Sequence, residues 1–178
     1  ITEENHVSRK IIKLIANGIS VFSFHTRLDA VEGGVNDTLA ALFSLRDVTP
    51  FGEEAIGRIG TLPSPISARE FAKRVKTLLH APVVFLGDAG RPVSRVALLG
   101  GSGGDDLSAA KAAGADTYLS GNLGYHDMTD APEAGMNLLE AGHYFTEQPI
   151  TDFFQELLID FDPEMYVEIA VSNNIKIY

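Results

Sequence analysis

Cysteine is absent from this chain of 178 residues, which removes thiolate metal sites, disulfides and cysteine nucleophiles and leaves only nitrogen and oxygen ligands for any metal ion. Long apolar runs are missing too. Val83 to Leu86 and Val96 to Leu99 are among the longest; they fall far short of a membrane span, and no signal-peptide pattern precedes them. The expected protein is soluble and cytoplasmic, with no membrane partner. Lys and Arg are absent from Ala112 to Ile175, a stretch that carries twelve acids, whereas the first 111 residues hold twelve acids against thirteen Lys and Arg. The formal charge of −10 is therefore concentrated in the C-terminal third. Such a block repels a phosphate backbone and attracts divalent cations, so duplex nucleic acid is excluded as a partner. Keeping exposed helices in solution is the plainer use of the same acids.

What is present fits one α/β domain, long enough to bury a core without disulfides or structural zinc. Residue 1 is Ile and enters a helical pattern almost at once, so the domain is read as residues 1–178 with its N-terminal part missing. His6 to Ala16 has helical spacing and ends at Asn17-Gly18. Ile19 to Phe24 reads as a strand that delivers His25 and Asp29 into a loop, after which Gly33-Gly34 and Asn36 introduce a helix from about Asp37 to Leu45. A polar, glycine-containing stretch runs to Pro65. Ser67 with Glu70 forms a capping box for a helix to about Leu79.

Val83 to Leu86 and Val96 to Leu99 are buried-type strands, followed by a glycine loop, Gly100 to Gly104, and a helix from Asp105 to Ala113. Further elements are a strand at Thr117 to Ser120, a helix beginning at Asp130 to Ala134 and a strand at Asn137 to Leu139. A helix at Thr151 to Ile159 follows, with Phe153, Phe154, Leu157 and Leu158 inward, and a late strand at Val167 to Ala170. The alternation predicts a layered α/β/α fold with a largely parallel mixed sheet and functional groups at the C-terminal ends of its strands.

Three polar clusters follow predicted strands. His25 and Asp29 are four apart in a turn-like segment, so one could bind a cation while the other orients it or handles a proton, or the two could form a cap or ion pair. His143 and Glu147 are four apart where a strand passes into a helix, and could meet one ion. Glu147 could equally be an acid favoured by a helix dipole, and His143 a satisfied buried histidine. Between these, Gly121 to Asp127 offers His126 as a proton carrier on the rim, with Asp127 beside it or capping the next turn. Gly100 to Gly104 could cradle a phosphate on backbone N–H groups or serve close packing; it has no Walker lysine.

Together, Phe24 to Ala30 with Gly33 to Asn36, Gly100 to Gly103, Gly121 to Asp127 and Ala141 to Glu147 resemble one family across nearly the whole chain. This is the dinuclear metal centre hexameric proteins of the NGG-interacting factor type, also called GTP cyclohydrolase I type 2 homologues. The resemblance implies Asp29, His143 and Glu147 as metal ligands, with Glu147 bridging, and His25 and His126 as accessory catalytic residues. It implies two divalent metal ions, and ligands of this kind suit Zn, Fe, Mn or Co. It further implies a homohexamer and a metal-dependent hydrolase acting on a small-molecule substrate, a nucleotide or related heterocycle. The alternative is a non-catalytic hexamer for metal storage, delivery or scaffolding. A third reading is a nucleotide-binding module that uses Gly100 to Gly104 and no metal. The family also uses a His-His pair ahead of the His-x-x-x-Asp segment. No adjacent histidines occur here, so that pair would fall upstream of residue 1 and the fragment should bind metal poorly. The short interval between Leu45 and Val96 suggests a compact member without the family's inserted domain.

Overall fold

The computed structural model describes residues 1–171, 173 and 175. Six strands form one sheet: Arg46–Phe51 (β1), Gly57–Ile66 (β2), Phe85–Gly87 (β3), Val93–Ser102 (β4), Thr117–Asn122 (β5) and Asn137–Glu140 (β6), in the spatial order β1-β2-β4-β5-β6-β3. β4, β5 and β6 run parallel, because a helix carries the chain back between each pair: Leu107–Ala112 (α5), then Tyr125–Glu133 (α6). The remaining pairings, β1 with β2, β2 with β4 and β3 with β6, are antiparallel. The fold is α/β with a mixed sheet, and its parallel part is confined to three strands, less than the alternation of elements implies.

Successive side chains of a strand face opposite ways, and this divides the core. Val96, Leu98, Leu119 and Leu139 pack with the helices Val35–Leu42 (α3) and Ala68–Leu78 (α4). Ala97, Leu99, Tyr118 and Leu138 pack with Ala110 of α5 and Ala131 of α6. On the first face Phe43 and Phe71 are fully buried with ring centroids 5.6 Å apart. The Ser67–Glu70 capping box forms as its spacing predicts. Ser67 Oγ accepts the Glu70 N–H at 3.2 Å and Glu70 Oε2 accepts the Ser67 N–H at 3.0 Å, and the hydrogen bond from the Ser67 side chain holds the Glu70 carboxyl below its ordinary pKa.

Several boundaries differ from expectation. Ile19 to Phe24 is not a strand: it is irregular, with Phe22 80% exposed, and among the described residues no strand pairs with it. Val167 to Ala170 is likewise irregular, and Val167 O accepts a hydrogen bond from Gln155 on the helix Ile150–Phe161 (α8). β1 and β2 occupy the polar, glycine-containing stretch to which the sequence assigned no element. α3 starts at Val35 from a Gly34 N-cap, and α6 starts at Tyr125 rather than at Asp130. The segment read as a loop holding Asp29 is a single helical turn, Thr26–Ala30 (α2). On α8, Phe154 and Leu158 are partly buried but Phe153 and Leu157 are exposed. The first helix, His6–Ala16 (α1), has no buried residue. Among the described residues no helix is long and apolar enough to cross a membrane.

Candidate metal centre

One helical turn carries the central pair. His143–Glu147 (α7) follows β6 after Gly142, whose φ of 87° lets the chain reverse into the turn. Residues four apart on a helix share a face, and His143 Nε2 lies 3.2 Å from Glu147 Oε1. Both side chains are about half exposed, so the alternative reading of His143 as a satisfied buried histidine does not hold. Thr146, fully buried, faces the other way and fixes the turn to the sheet: its Oγ1 accepts the Gly101 N–H at 3.0 Å and lies 2.9 Å from His143 O, to which it can donate. Gly101 (φ 73°) permits this approach, since a Cβ there would stand 2.6 Å from Glu147 Oε1 and 3.3 Å from His143 Nε2.

The glycine run serves close packing. The Gly100 N–H donates to Asn36 Oδ1 at 2.8 Å and the Gly101 N–H to Thr146 Oγ1, so neither is free to hold a phosphate. A Cβ on Gly100 would meet Val35 Cγ1 at 2.8 Å.

Asp29 reaches this region through a side-chain strap that the sequence did not reveal. Asn36, fully buried on α3, donates through Nδ2 to Asp29 O (3.2 Å) and Ile56 O (2.8 Å) while accepting from Gly100. Arg58 is 7% exposed; it pairs with Asp37 at 2.6 Å and donates to Ala30 O at 3.0 Å. The backbone of α2 is thereby tied to β2 and β4. Burial pushes the Asp29 carboxyl above its usual range, the charge of Glu147 pushes it further, and His25 and His143 oppose the rise. Asp29, Glu147, His143 and His25 therefore share one electrostatic neighbourhood.

His25 precedes α2 with φ 40° and ψ −135°, a sparsely populated conformation for a residue with a side chain, and its Nδ1 lies 2.8 Å from Thr26 Oγ1. His126 stands apart. It is exposed on α6, its ring edge-on to Tyr125, and among the described residues it makes no hydrogen bond or ion pair with the other four. Asp127 lies within α6 and accepts the Gly124 N–H at 2.9 Å, closing the first turn backward rather than capping a turn that follows it. Beside His143 opens a cavity of about 390 Å³, lined by Pro82, Asn122, Glu140, Tyr144 and Phe145 among others. Burial raises the pKa of Glu140 there, against a hydrogen bond from the Leu123 backbone.

Among the described residues no three His, Asp or Glu side chains converge tightly enough to hold a metal ion as they stand. The donor chemistry nevertheless suits one. A carboxylate at Asp29 whose ionisation is opposed by burial and by the charge of Glu147, with the His143 imidazole beside Glu147, forms a set whose repulsion a cation relieves.

Fold and site together describe a mixed α/β protein with an imidazole–carboxylate cluster at the C-terminal ends of its central strands. The family model Duf34/NIF3 (NGG1p interacting factor 3) matches residues 1–176, and the chain belongs to that family. It is 36% identical over 186 aligned residues to a protein of Clostridium perfringens named GTP cyclohydrolase 1 type 2 homolog, covering 99% of this chain and 70% of that one. A Nostoc protein of the same name is 36% identical over 147 residues, 79% of this chain and 56% of its own length. The chain thus spans little more than half of some relatives. The crystal structure of Staphylococcus aureus protein SA1388 has the same fold, with a TM-score of 0.85 at 22% identity over 99% of this chain and 74% of that one.

Proposed function

We propose that Asp29, His143 and Glu147 hold divalent metal ions, two in the complete site, and that the protein is a metal-dependent hydrolase of a nucleotide or related heterocycle. The observation that carries this reading is the His143–Glu147 pair, 3.2 Å apart over Gly101, with Asp29 coupled electrostatically to both. Its Cys-free ligand set suits Zn, Fe, Mn or Co. Divalent ions held there supply Lewis acidity and lower the pKa of a water molecule. His25, coupled electrostatically to Asp29, would take or return a proton, with His126, exposed on α6, as the second proton carrier. The cavity lined by Tyr144, Phe145, Asn122 and Glu140 offers flat apolar faces and hydrogen-bonding groups to a planar ring. The names of the relatives, GTP cyclohydrolase 1 type 2 homolog, agree with a nucleotide. Exposed apolar side chains such as Phe22, Phe161 and Tyr166 support assembly into a homohexamer, which would cover them.

One observation favours the non-catalytic alternative of metal storage, delivery or scaffolding: His143 is 53% and Glu147 42% exposed in the side chain, and so open a site exchanges ions readily. Metal analysis of the purified protein, wild type against Glu147→Ala, tests the centre itself; equal metal content in the two would refute it. Nucleotide turnover lost in both Glu147→Ala and His25→Ala supports the hydrolase. A metal-loaded protein that turns over no nucleotide, yet passes its ions to an acceptor, supports the carrier.

A further inference from the structure

Two helices far from the candidate centre carry charge of one sign along one face. On α4, Arg69, Lys73 and Lys76 are exposed at spacings of four and three, which sets them in one line along the helix. On α8, Asp152, Glu156 and Asp160 are exposed and four apart, so they form a second line. The basic line covers about 10 Å of helix and the acidic line about 12 Å. Among the described residues none of the six takes part in an ion pair. Glu70, the acid of α4, is held by the Ser67 cap, and α8 lies wholly within the stretch that has no Lys or Arg. Neither line is therefore neutralised from within its own helix.

Each line borders exposed apolar surface. The three cations form one wall of a groove of about 480 Å³, whose other wall includes Pro82, Val83 and Leu86, on and just before β3. On α8, Phe153 and Leu157 are 42% and 49% exposed; each follows an acid by one residue, so the pair runs alongside the acidic line. β3 ends the sheet and is only three residues long. A short edge strand flanked by Pro82 and lysines is a poor template for strand addition, so the groove suits a helix better than an extended peptide. We propose that α8 of one copy docks on α4 of a second copy, with Asp152, Glu156 and Asp160 against Arg69, Lys73 and Lys76 and with Phe153 and Leu157 in the groove. The apolar contact supplies adhesion and the charges set partner and register. Each copy carries both faces, so two copies can exchange the contact or each can pass it to the next around a ring. The number of copies rests on the homohexamer reading; the pairing of faces does not.

Sedimentation velocity on two charge-reversed proteins tests the pairing. One carries Lys73→Glu with Lys76→Glu, the other Asp152→Lys with Glu156→Lys; all four positions are exposed, and equal melting temperatures show that both proteins fold. The wild type should self-associate, less strongly at high salt because exposed charges are screened. Each variant alone sets like charges face to face and should associate about ten- to a hundredfold more weakly. An equimolar mixture of the two should reassemble, since the acidic α4 of one then meets the basic α8 of the other. A wild-type assembly that neither variant disturbs overturns the pairing and leaves the homohexamer reading standing. Variants that dissociate but fail to recover on mixing also overturn it. A wild type that is monomeric at every concentration overturns both readings.

Discussion

Replacing Asn36 with Ala should be among the most damaging single changes outside the apolar core. The side chain is fully buried and makes three hydrogen bonds, to Asp29 O, Ile56 O and the Gly100 N–H. A hydrogen bond contributes about 1 kcal/mol net, whereas a buried donor left unpaired costs about 1–3 kcal/mol. Ile56 O keeps a weak contact with Arg58 at 3.4 Å and α2 lies partly open to water, so the severe term is the Gly100 N–H inside the sheet. The sum is about 3–5 kcal/mol, a large share of the roughly 5–15 kcal/mol that stabilises a domain. Urea unfolding should show that loss, with a melting temperature lower by about 6–20 °C, and the Gly100 amide should lose protection from hydrogen exchange. Thr38→Ala, on the same helix, provides the control for helix propensity. A loss below about 1 kcal/mol with Gly100 exchange unchanged would show that the strap holds neither Asp29 nor β4, and the account of how Asp29 is positioned would fail.

Gly101→Ala should cost about 1–2 kcal/mol for its left-handed backbone and push Glu147 and His143 apart; Zn²⁺ titration should find the affinity at least about tenfold weaker. Arg58→Met leaves Asp37 without its cation and strips the donor from Ala30 O, and chemical denaturation should register a loss of about 3–5 kcal/mol. Asp106→Asn tests burial: desolvation, with Asp105 and Glu53 adding to it, raises the Asp106 carboxyl above its ordinary range against a hydrogen bond from the Glu53 backbone. The folded state therefore favours the protonated form, and the cost of ionising Asp106 is absent below the unfolded-state pKa and fully present above the raised one. Melting curves should show the Asn variant little changed at low pH and increasingly more stable than wild type as pH rises through that interval. The opposite trend would refute the assignment.

Elements whose signal is local were legible in the sequence. The Ser67–Glu70 box marked the start of α4, and the apolar runs at β4, β5 and β6 marked the centre of the sheet, so the positions just after those strands drew attention to His143 and Glu147, which the structure sets on one helical turn. β1 and β2 were hidden because Pro50, Pro63, Pro65 and Gly60 read as turn residues. In the structure Pro63 and Pro65 fall where the β2–β4 register shifts, between Thr61 and Ile66, so no regular ladder bond is demanded of them. Ile19 to Phe24 misled for the converse reason: its β-branched and aromatic residues suit a strand, but strand propensity is realised only against a neighbour. The bonds made by Asn36, Arg58, Thr146 and Asn122 were not legible in the sequence, since each acts through a partner far along the chain.

The two parts of the candidate centre differ in what keeps them in place. The spacing of His143 and Glu147 is set within one helical turn and does not depend on how α2 and α3 are held. Asp29 depends on a bond spanning sixty-four residues, from Asn36 to Gly100. Partial opening of the α3–β4 packing would release this carboxylate first and leave the other two donors side by side, so the site would come apart in stages.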